Sequence, residues 1–366
     1  MNPIQRREFL ARTASAGLVG LAARELLFRP WKTSAQAPAK PKIKIGQMGT
    51  AHAHAEGKMT SLRRSPDFEV VGIVEPDARR RLDAEANKTY QGLPWLTEEQ
   101  LLNTPGLQAV AVETGVKDLL AAAARCVAAG QHIHLDKPAG TSLPLFKTLL
   151  DEATRRKRTV QMGYMFRYNP AFQFCFRAVR EGWLGEIFSL DTVISKALNA
   201  RERAAYLPYP GGAMFELGGH VLDAVVHLLG PPPRVHAHPR NSARDGEKLF
   251  DNQLAVLEYP RATVTARSSF LEVEGGARRQ FVVCGEKGTF DIRPLEPPAA
   301  RLALDQPRGE FKKGYQDVKF PNLPRYDADF ADLAAVIRGE KEFAFSPAHD
   351  LAVQETILRA SGLPVE

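Results

Sequence analysis

Three stretches carry side chains whose types and spacing suit chemistry. The first, Gln131 to Gly140, reads QHIHLDKPAG. His132 to Leu135 has the apolar and β-branched character of a short strand, and Pro138 keeps a helix from starting directly after it. Lys137 therefore projects from a turn at a strand end, the edge at which a parallel α/β sheet opens its ligand crevice. An ammonium placed there can hydrogen-bond a reacting oxygen; the alternative is a solvated turn lysine. The second stretch is Gly211 to Asp223, GGAMFELGGHVLD. Glu216 and His220 are four residues apart, so on a helix they share a face, where a carboxylate can orient an imidazole and raise its basicity. That spacing predicts an acid/base pair, against the plainer reading of His220 as a core or capping residue.

The third stretch follows a strand at Lys42 to Gly46 and reads Gly49-Thr50-Ala51-His52-Ala53-His54. Small residues at a strand-to-helix turn let backbone N–H groups approach a pyrophosphate. The G-x-G-x-x-G pattern is degraded, with Gly49 at its first position and Ala51 and His54 at the others. An apolar strand, Phe68 to Val74, then ends in Glu75, about twenty-five residues past the turn. A carboxylate there accepts both adenosine ribose hydroxyls and repels a 2′-phosphate, which favours NAD; Arg79, Arg80 and Arg81 are placed to neutralise such a phosphate and leave NADP open.

Stepping along the chain, the elements that position these residues alternate. Helices are expected near Glu56, over Asp77 to Ala86, after the Thr97 cap, and over Leu119 to Ala129. Between them the apolar run Leu107 to Val112 ends at Glu113-Thr114-Gly115, the same sheet edge, and places Thr114 beside the cofactor turn. This pattern gives a Rossmann-like, doubly wound parallel sheet over 42–162. The remainder, 163–366, reads as an α+β domain. It opens with Tyr164, Arg167 and Asn169, which offer hydrogen-bond donors to a polyol, and a helix over Ala171 to Glu181. Strands follow at Glu186 to Lys196, Leu254 to Glu258, Ala262 to Leu271, Arg279 to Val283 and Thr289 to Ile292, the last two joined by a hairpin at Gly285 to Gly288. An open antiparallel sheet results, closed by helices at Tyr326 to Arg338 and Pro347 to Ala360.

The chain has 366 residues and a formal charge of +7. Residues 1–41 hold seven basic and two acidic residues, so +5 of that charge sits in the leader and only +2 in the rest. A nucleic-acid partner is thereby disfavoured, since its basic residues should spread over a folded face. Arg6, Arg7, Phe9 and Leu10, followed by an Ala- and Gly-rich apolar run, resemble a twin-arginine export signal, although Gln5 and Ala11 depart from it. The implication is a periplasmic or otherwise exported protein, its leader cleaved or kept as an anchor, with no membrane span in the mature form. Cys126, Cys175 and Cys284 are too scattered for a disulfide frame or zinc site, and the pairs His52-x-His54 and His132-x-His134 lack the further ligands of a metal hydrolase.

Asp136-Lys137-Pro138, the order of elements before it, Arg167 with Pro170, and Gly211-Gly212 ahead of Glu216, His220 and Asp223 resemble the Gfo/Idh/MocA oxidoreductases. The family more often has Glu-Lys-Pro, and Asp where this chain has Glu216. Its Thr-Pro-Asn-x-x-His run is replaced here by Thr114-Gly115-Val116-Lys117-Asp118-Leu119. The resemblance implies an NAD(P)-dependent oxidoreductase acting on CH–OH groups of a sugar, cyclitol or related polyhydroxy compound. Lys137, His220 and Glu216 are then catalytic, Asp223 meets substrate, and the second sheet supports a homodimer or tetramer. Two alternatives stay open: a glycosidase that retains NAD and oxidises its substrate transiently, and a catalytically silent sugar-binding relative.

Overall fold

The computed structural model describes residues 40–208, 210–242 and 246–365. The leader, with Arg6 and Arg7, lies outside the described residues. The first sheet is built from β1 (Ile43–Met48), β2 (Phe68–Val74), β3 (Leu107–Val112), β4 (His132–Leu135) and β5 (Val160–Met162). All its pairings are parallel, in the order β2-β1-β3-β4-β5. Helices cover both faces, which is why β3 is almost uniformly apolar: Ala109 to Val112 are fully buried. The order reverses direction between β1 and β3, so the loops after Met48 and Val112 diverge there and leave a crevice.

The helices of this half are α1 (Ala55–Arg64), α2 (Ala78–Glu85), α3 (Glu98–Leu102), α4 (Leu119–Ala128) and α5 (Leu143–Arg155). Asp77, Thr97 and Ser142 cap α2, α3 and α5 by accepting backbone N–H groups. After α6 (Pro170–Arg180), β6 (Ile187–Ser195) and α7 (Ala200–Tyr206), a single π-helical turn, Met214–Gly218, runs straight into α8 (Gly219–Leu229). The remaining strands are β7 (Arg234–Arg240), β8 (Asn252–Glu258), β9 (Thr263–Ser269), β10 (Gln280–Gly285), β11 (Gly288–Ile292), β12 (Ala300–Leu304) and β13 (Gly314–Val318), with the short α9 (Gly275–Arg278) before β10.

The second sheet has eight strands in the order β13-β12-β11-β10-β6-β9-β8-β7. It corrects the antiparallel expectation at one seam, because β6 and β9 pair in parallel at its centre. Strands β7, β12 and β13 were not foreseen. They lie toward the edges of the sheet; β7 alternates exposed polar residues with half-buried Val235, Ala237 and Pro239, and has no fully buried residue.

The chain beyond Arg325 does not stay with this sheet. Helix α10 (Asp327–Ile337) returns to the first domain, where Tyr326, Phe330, Leu333 and Ala334 pack with Ile43, Ile45, Leu62, Phe68, Ala109 and Ala111. The Phe330 ring lies 5.9 Å from Phe68 and 4.9 Å from His134. Helix α11 (Pro347–Ala360) packs on α8 and α5, tying the halves together. One large core runs from Val112 and Leu135 through Phe146 and Phe166 to Phe172, Phe281 and Phe290. Cys126 and Cys175 are buried thiols and Cys284 is half-buried, all unpaired. No helix among the described residues is long and apolar enough to cross a membrane.

Candidate active site

Lys137 leaves the end of β4 and is buried, with only 1% of its surface exposed. The turn beneath it is fixed by Asp136, whose carboxylate accepts the Lys137 backbone N–H at 2.7 Å and the Lys58 ammonium at 2.7 Å. The rings of His52 and His54 approach the same carboxylate through Nδ1 at 2.8 and 3.1 Å. His52 Nε2 faces the Lys137 carbonyl at 3.0 Å, so its ring ties the β1 loop to the β4 turn. Lys58 also donates to Glu113 at 2.9 Å. Burial alone would raise the Asp136 carboxyl, yet His52, Lys58 and His54 outweigh it and hold the group well below the usual carboxylate range. Burial raises Glu113 well above its ordinary range, against the pull of Lys58. Gly163 belongs to this packing, because a Cβ there would come within 2.9 Å of the Lys58 ammonium.

From the other side the π-helical turn delivers Glu216. Lys137 Nζ donates to the Glu216 carbonyl at 2.7 Å and to Oε1 at 3.0 Å. The Glu216–His220 pair read from the spacing is therefore not formed: the carboxylate is drawn to an ammonium, a stronger partner than a neutral imidazole. His220 is buried, its Nδ1 has no partner, and its ring sits 6.0 Å from His54, 5.9 Å from Phe166 and 6.2 Å from Tyr164. Burial first, then Lys137 and His54, press its pKa well below 6.5, so at neutral pH it is an uncharged acceptor.

Two adjoining cavities lie beside this cluster, the second of which reaches it. One, about 620 Å³, opens at the β1/β3 divergence and is lined by Gly49, Ala51, Glu75, Arg80 and Thr114 among others. Gly49 has φ +89°, and a Cβ there would sit 2.6 Å from the Thr114 backbone, so only glycine lets the two loops approach. Thr50 does not face the cavity as a free donor; its N–H and hydroxyl both hold Glu75 Oε2 at 2.8 Å, while Asp77 N–H holds Oε1 at 3.1 Å. Glu75 is thus a preset acceptor at the end of β2, which fits the ribose of a dinucleotide. The second cavity, about 520 Å³, shares Ala51, Arg80, Gly115 and Asp118 with the first and is lined further by His52, Lys196, Tyr206 and Glu216. The dinucleotide crevice is thereby continuous with the partner of Lys137.

The expected substrate donors are placed differently. Arg167 is fully buried, and its guanidinium binds Asp223 at 2.7 Å as well as Asp350. Asp223 also meets His349 Nε2 at 3.1 Å, and Arg167 stacks 4.0 Å over the Phe345 ring. This network joins the 163–169 segment to α8 and α11, so Arg167 and Asp223 spend their charges on each other and not on a ligand. Tyr164 is buried between Arg167 and His220. Asn169 caps α6 by accepting Ala171 N–H at 3.0 Å. Two sets of atoms have metal-like spacing, His52-His54-Asp136 and Asp223-His349-Asp350. Lys58 already sits on the Asp136 oxygen, and Arg167 on both carboxylates of the second set, so each place for a cation is taken by a side chain.

Sequence reasoning passed over Lys58, Glu113 and His54. The signal was present: Lys58 falls on the apolar stripe of α1 with Ala55, Met59 and Leu62, where a lysine demands a buried partner.

Comparison with known proteins identifies the family of both domains. Residues 43–164 match the family described as "Oxidoreductase family, NAD-binding Rossmann fold", and residues 172–291 match "GFO/IDH/MocA C-terminal domain". Inositol 2-dehydrogenase 1 of Saccharopolyspora erythraea is 26% identical over 253 residues, covering 68% of this chain and 74% of that protein. Inositol 2-dehydrogenase of Agrobacterium fabrum is 27% identical over 273 residues, covering 72% and 76%. Among solved structures, aldose-aldose oxidoreductase from Caulobacter crescentus complexed with glycerol superposes with a TM-score of 0.74 at 19% identity, over 88% of this chain and 98% of that one.

The reassignment of Arg167 has a direct check. Arg167→Met leaves Asp223 and Asp350 buried without their cation, so denaturant unfolding should show a loss of about 3–5 kcal/mol. KM of the surviving folded enzyme should stay near the wild-type value; a large rise in KM with unchanged stability would return Arg167 to the substrate.

Proposed function

We propose a reaction for a chain that belongs, by both of its domains, to the Gfo/Idh/MocA oxidoreductase family: transfer of hydride between a carbinol carbon of a sugar, cyclitol or related polyhydroxy compound and NAD. The observation that carries it is the Lys137–Glu216 pair, whose Glu216 lines a cavity that shares Ala51, Arg80, Gly115 and Asp118 with the Gly49–Glu75 crevice, with neutral His220 buried close by on α8. Gly49, Ala51, Glu75, Thr114 and Gly115 would hold the dinucleotide, and the nicotinamide when bound supplies the hydride acceptor. Lys137 has three N–H donors, of which Glu216 takes two, so one remains for the reacting oxygen. That hydrogen bond strengthens as the oxygen gains negative charge, which is where it accelerates reaction. Neutral His220 accepts the hydroxyl proton, and the buried ring cluster of Tyr164, Phe166 and His54 around it limits water.

Lys137→Met should lower kcat by about 10²–10³-fold with NAD affinity little changed; equal losses in both would remove Lys137 from the reacting oxygen. The base form of His220 exists above its depressed pKa and is lost as pH falls through it. The acid limb of the kcat profile should thus lie well below pH 6.5 and vanish in His220→Ala. An unchanged limb in that variant would assign it elsewhere.

Glu75 sets cofactor choice through its carboxylate, already fixed by Thr50 and Asp77. NAD should bind more tightly than NADP, and Glu75→Ala should narrow the gap by releasing a 2′-phosphate from repulsion. Titrating both nucleotides into both proteins decides it, and tighter NADP binding by the unaltered chain would refute the assignment.

The twin-arginine-like leader supports export of the folded protein with its dinucleotide already bound, since binding to the folded state alone also stabilises it. Periplasmic protein purified without added nucleotide should release NAD on denaturation in near-stoichiometric amount. Export that survives Arg6→Lys with Arg7→Lys would defeat this reading.

A further inference from the structure

A third cavity, about 350 Å³, lies behind Tyr326, away from the dinucleotide crevice. Its apolar walls are made by Met165, Tyr168, Tyr326 and the prolines of the 297–298 and 321–324 segments. Tyr326 is shared with the catalytic cluster, since its ring lies 5.9 Å from the His54 ring and 5.7 Å from the Lys58 ammonium. Among the cavity's polar lining residues, which include Asn169, Asn322 and the Glu296–Arg325 pair, Asp329 stands apart: it is 3% exposed and its Oδ1 has no hydrogen-bond partner. A buried carboxyl oxygen left without a partner costs about 1–3 kcal/mol, and an incoming donor would recover it.

The surrounding charges do not supply its partner. Lys58, on α1, is committed to Asp136 and Glu113 at 2.7 and 2.9 Å. Arg167, on the 163–169 segment, is held by Asp223 and Asp350. Arg325 at the rim is paired with Glu296 at 2.5 Å. On its own helix Asp332 is a like charge, engaged by Tyr168 and Lys341. None of the ion pairs among the described residues includes Asp329.

We propose that this cavity is a second ligand site, which takes a compact ring bearing an ammonium group, the ammonium pairing with Asp329 and the ring lying against the prolines and tyrosines. The amine chemistry has two sources, an amino group on the substrate itself or a separate small amine, and the test distinguishes them. Burial, only partly offset by Lys58, raises the Asp329 carboxyl to about 7. An ammonium binds the ionised form, so affinity rises with pH through that value and levels off above it.

Cyclohexylamine, charged throughout this range, and its neutral isostere cyclohexanol are titrated calorimetrically into the full chain saturated with NAD. The amine should bind at least about tenfold more tightly at pH 8, and its affinity should fall roughly tenfold at pH 6. Asp329→Asn should erase the preference, and Ala328→Phe, which fills the cavity from α10, should abolish binding of both probes. Competition with a turned-over polyol would place the ammonium on the substrate, whereas inhibition that added polyol does not relieve would make it a separate ligand. Equal binding of the two probes by the unaltered chain, no binding of either, an amine preference that survives Asp329→Asn, or binding that survives Ala328→Phe would overturn the site. Because calorimetry needs no turnover, these outcomes are independent of whether the hydride-transfer reading holds.

Discussion

The arrangement rests on one buried carboxylate. Asp136 accepts the Lys58 ammonium, two imidazoles and the backbone N–H of the residue after it, and so binds together β4, α1 and the loop after β1. A charge taken this far from water persists only when its partners replace the hydration it gives up. Here they do, and the result is a turn whose geometry is set before any ligand arrives. Lys137 inherits that rigidity. Preorganisation of this kind is what lets a hydrogen bond act in a transition state without first reorganising its surroundings.

The second domain contributes by a local departure from α-helical geometry. The π-helical turn Met214–Gly218 brings both the carbonyl and the carboxylate of Glu216 to Lys137 Nζ, and α8 then carries His220 to the same cluster. Such turns are uncommon inside helices and concentrate at functional sites. Behind them the Arg167–Asp223–Asp350 network fixes α8 against α11, so the two sides of the site are each anchored by a buried ion cluster. The catalytic groups lie between two clusters that cannot relax without exposing charge.

Much of the fold was legible because its signals are local. The strand-to-turn ends at Val74, Val112 and Leu135 were read from apolar runs closed by Glu or Pro, and each falls at one edge of the parallel sheet; the first strand, read to Gly46, runs on to Met48. The edge strands β7 and β13 were not legible: the alternation of β7 rests only on Val235, Ala237 and Pro239, β13 has no fully apolar run, and both depend on backbone pairing with a neighbour. Helix α10 was found as a helix but assigned to the wrong layer: an amphipathic stripe says that a face is buried, not against what. The same limit governs the site. Lys137 and His220 were visible because proline and glycine mark their turns. The partner of Glu216 was not, because the competitor for its carboxylate is 79 residues away in sequence. Arg167 carried a donor's chemistry on the page, and only burial reveals that its charge is already spent.

Two lysines in this structure illustrate why burial alone does not mark a reactive amine. Lys58 and Lys137 are both almost wholly buried, and each donates twice to acidic or carbonyl oxygens. Lys58 meets two carboxylates, and the Tyr326 ring covers it at 5.7 Å, so it has no approach for a ligand; burial works against its charge, but Asp136 and Glu113 raise its pKa. Lys137 meets one carboxylate, and that carboxylate lines a cavity of about 520 Å³. With one proton uncommitted and space beside its partner, Lys137 can exchange part of its interaction with Glu216 for an oxygen that becomes more negative as reaction proceeds. Lys58 has nothing to exchange. What separates the two lysines is thus the number of carboxylates that claim each: the Asp136 cluster claims Lys58 completely, while Lys137 keeps a proton for the role proposed for it.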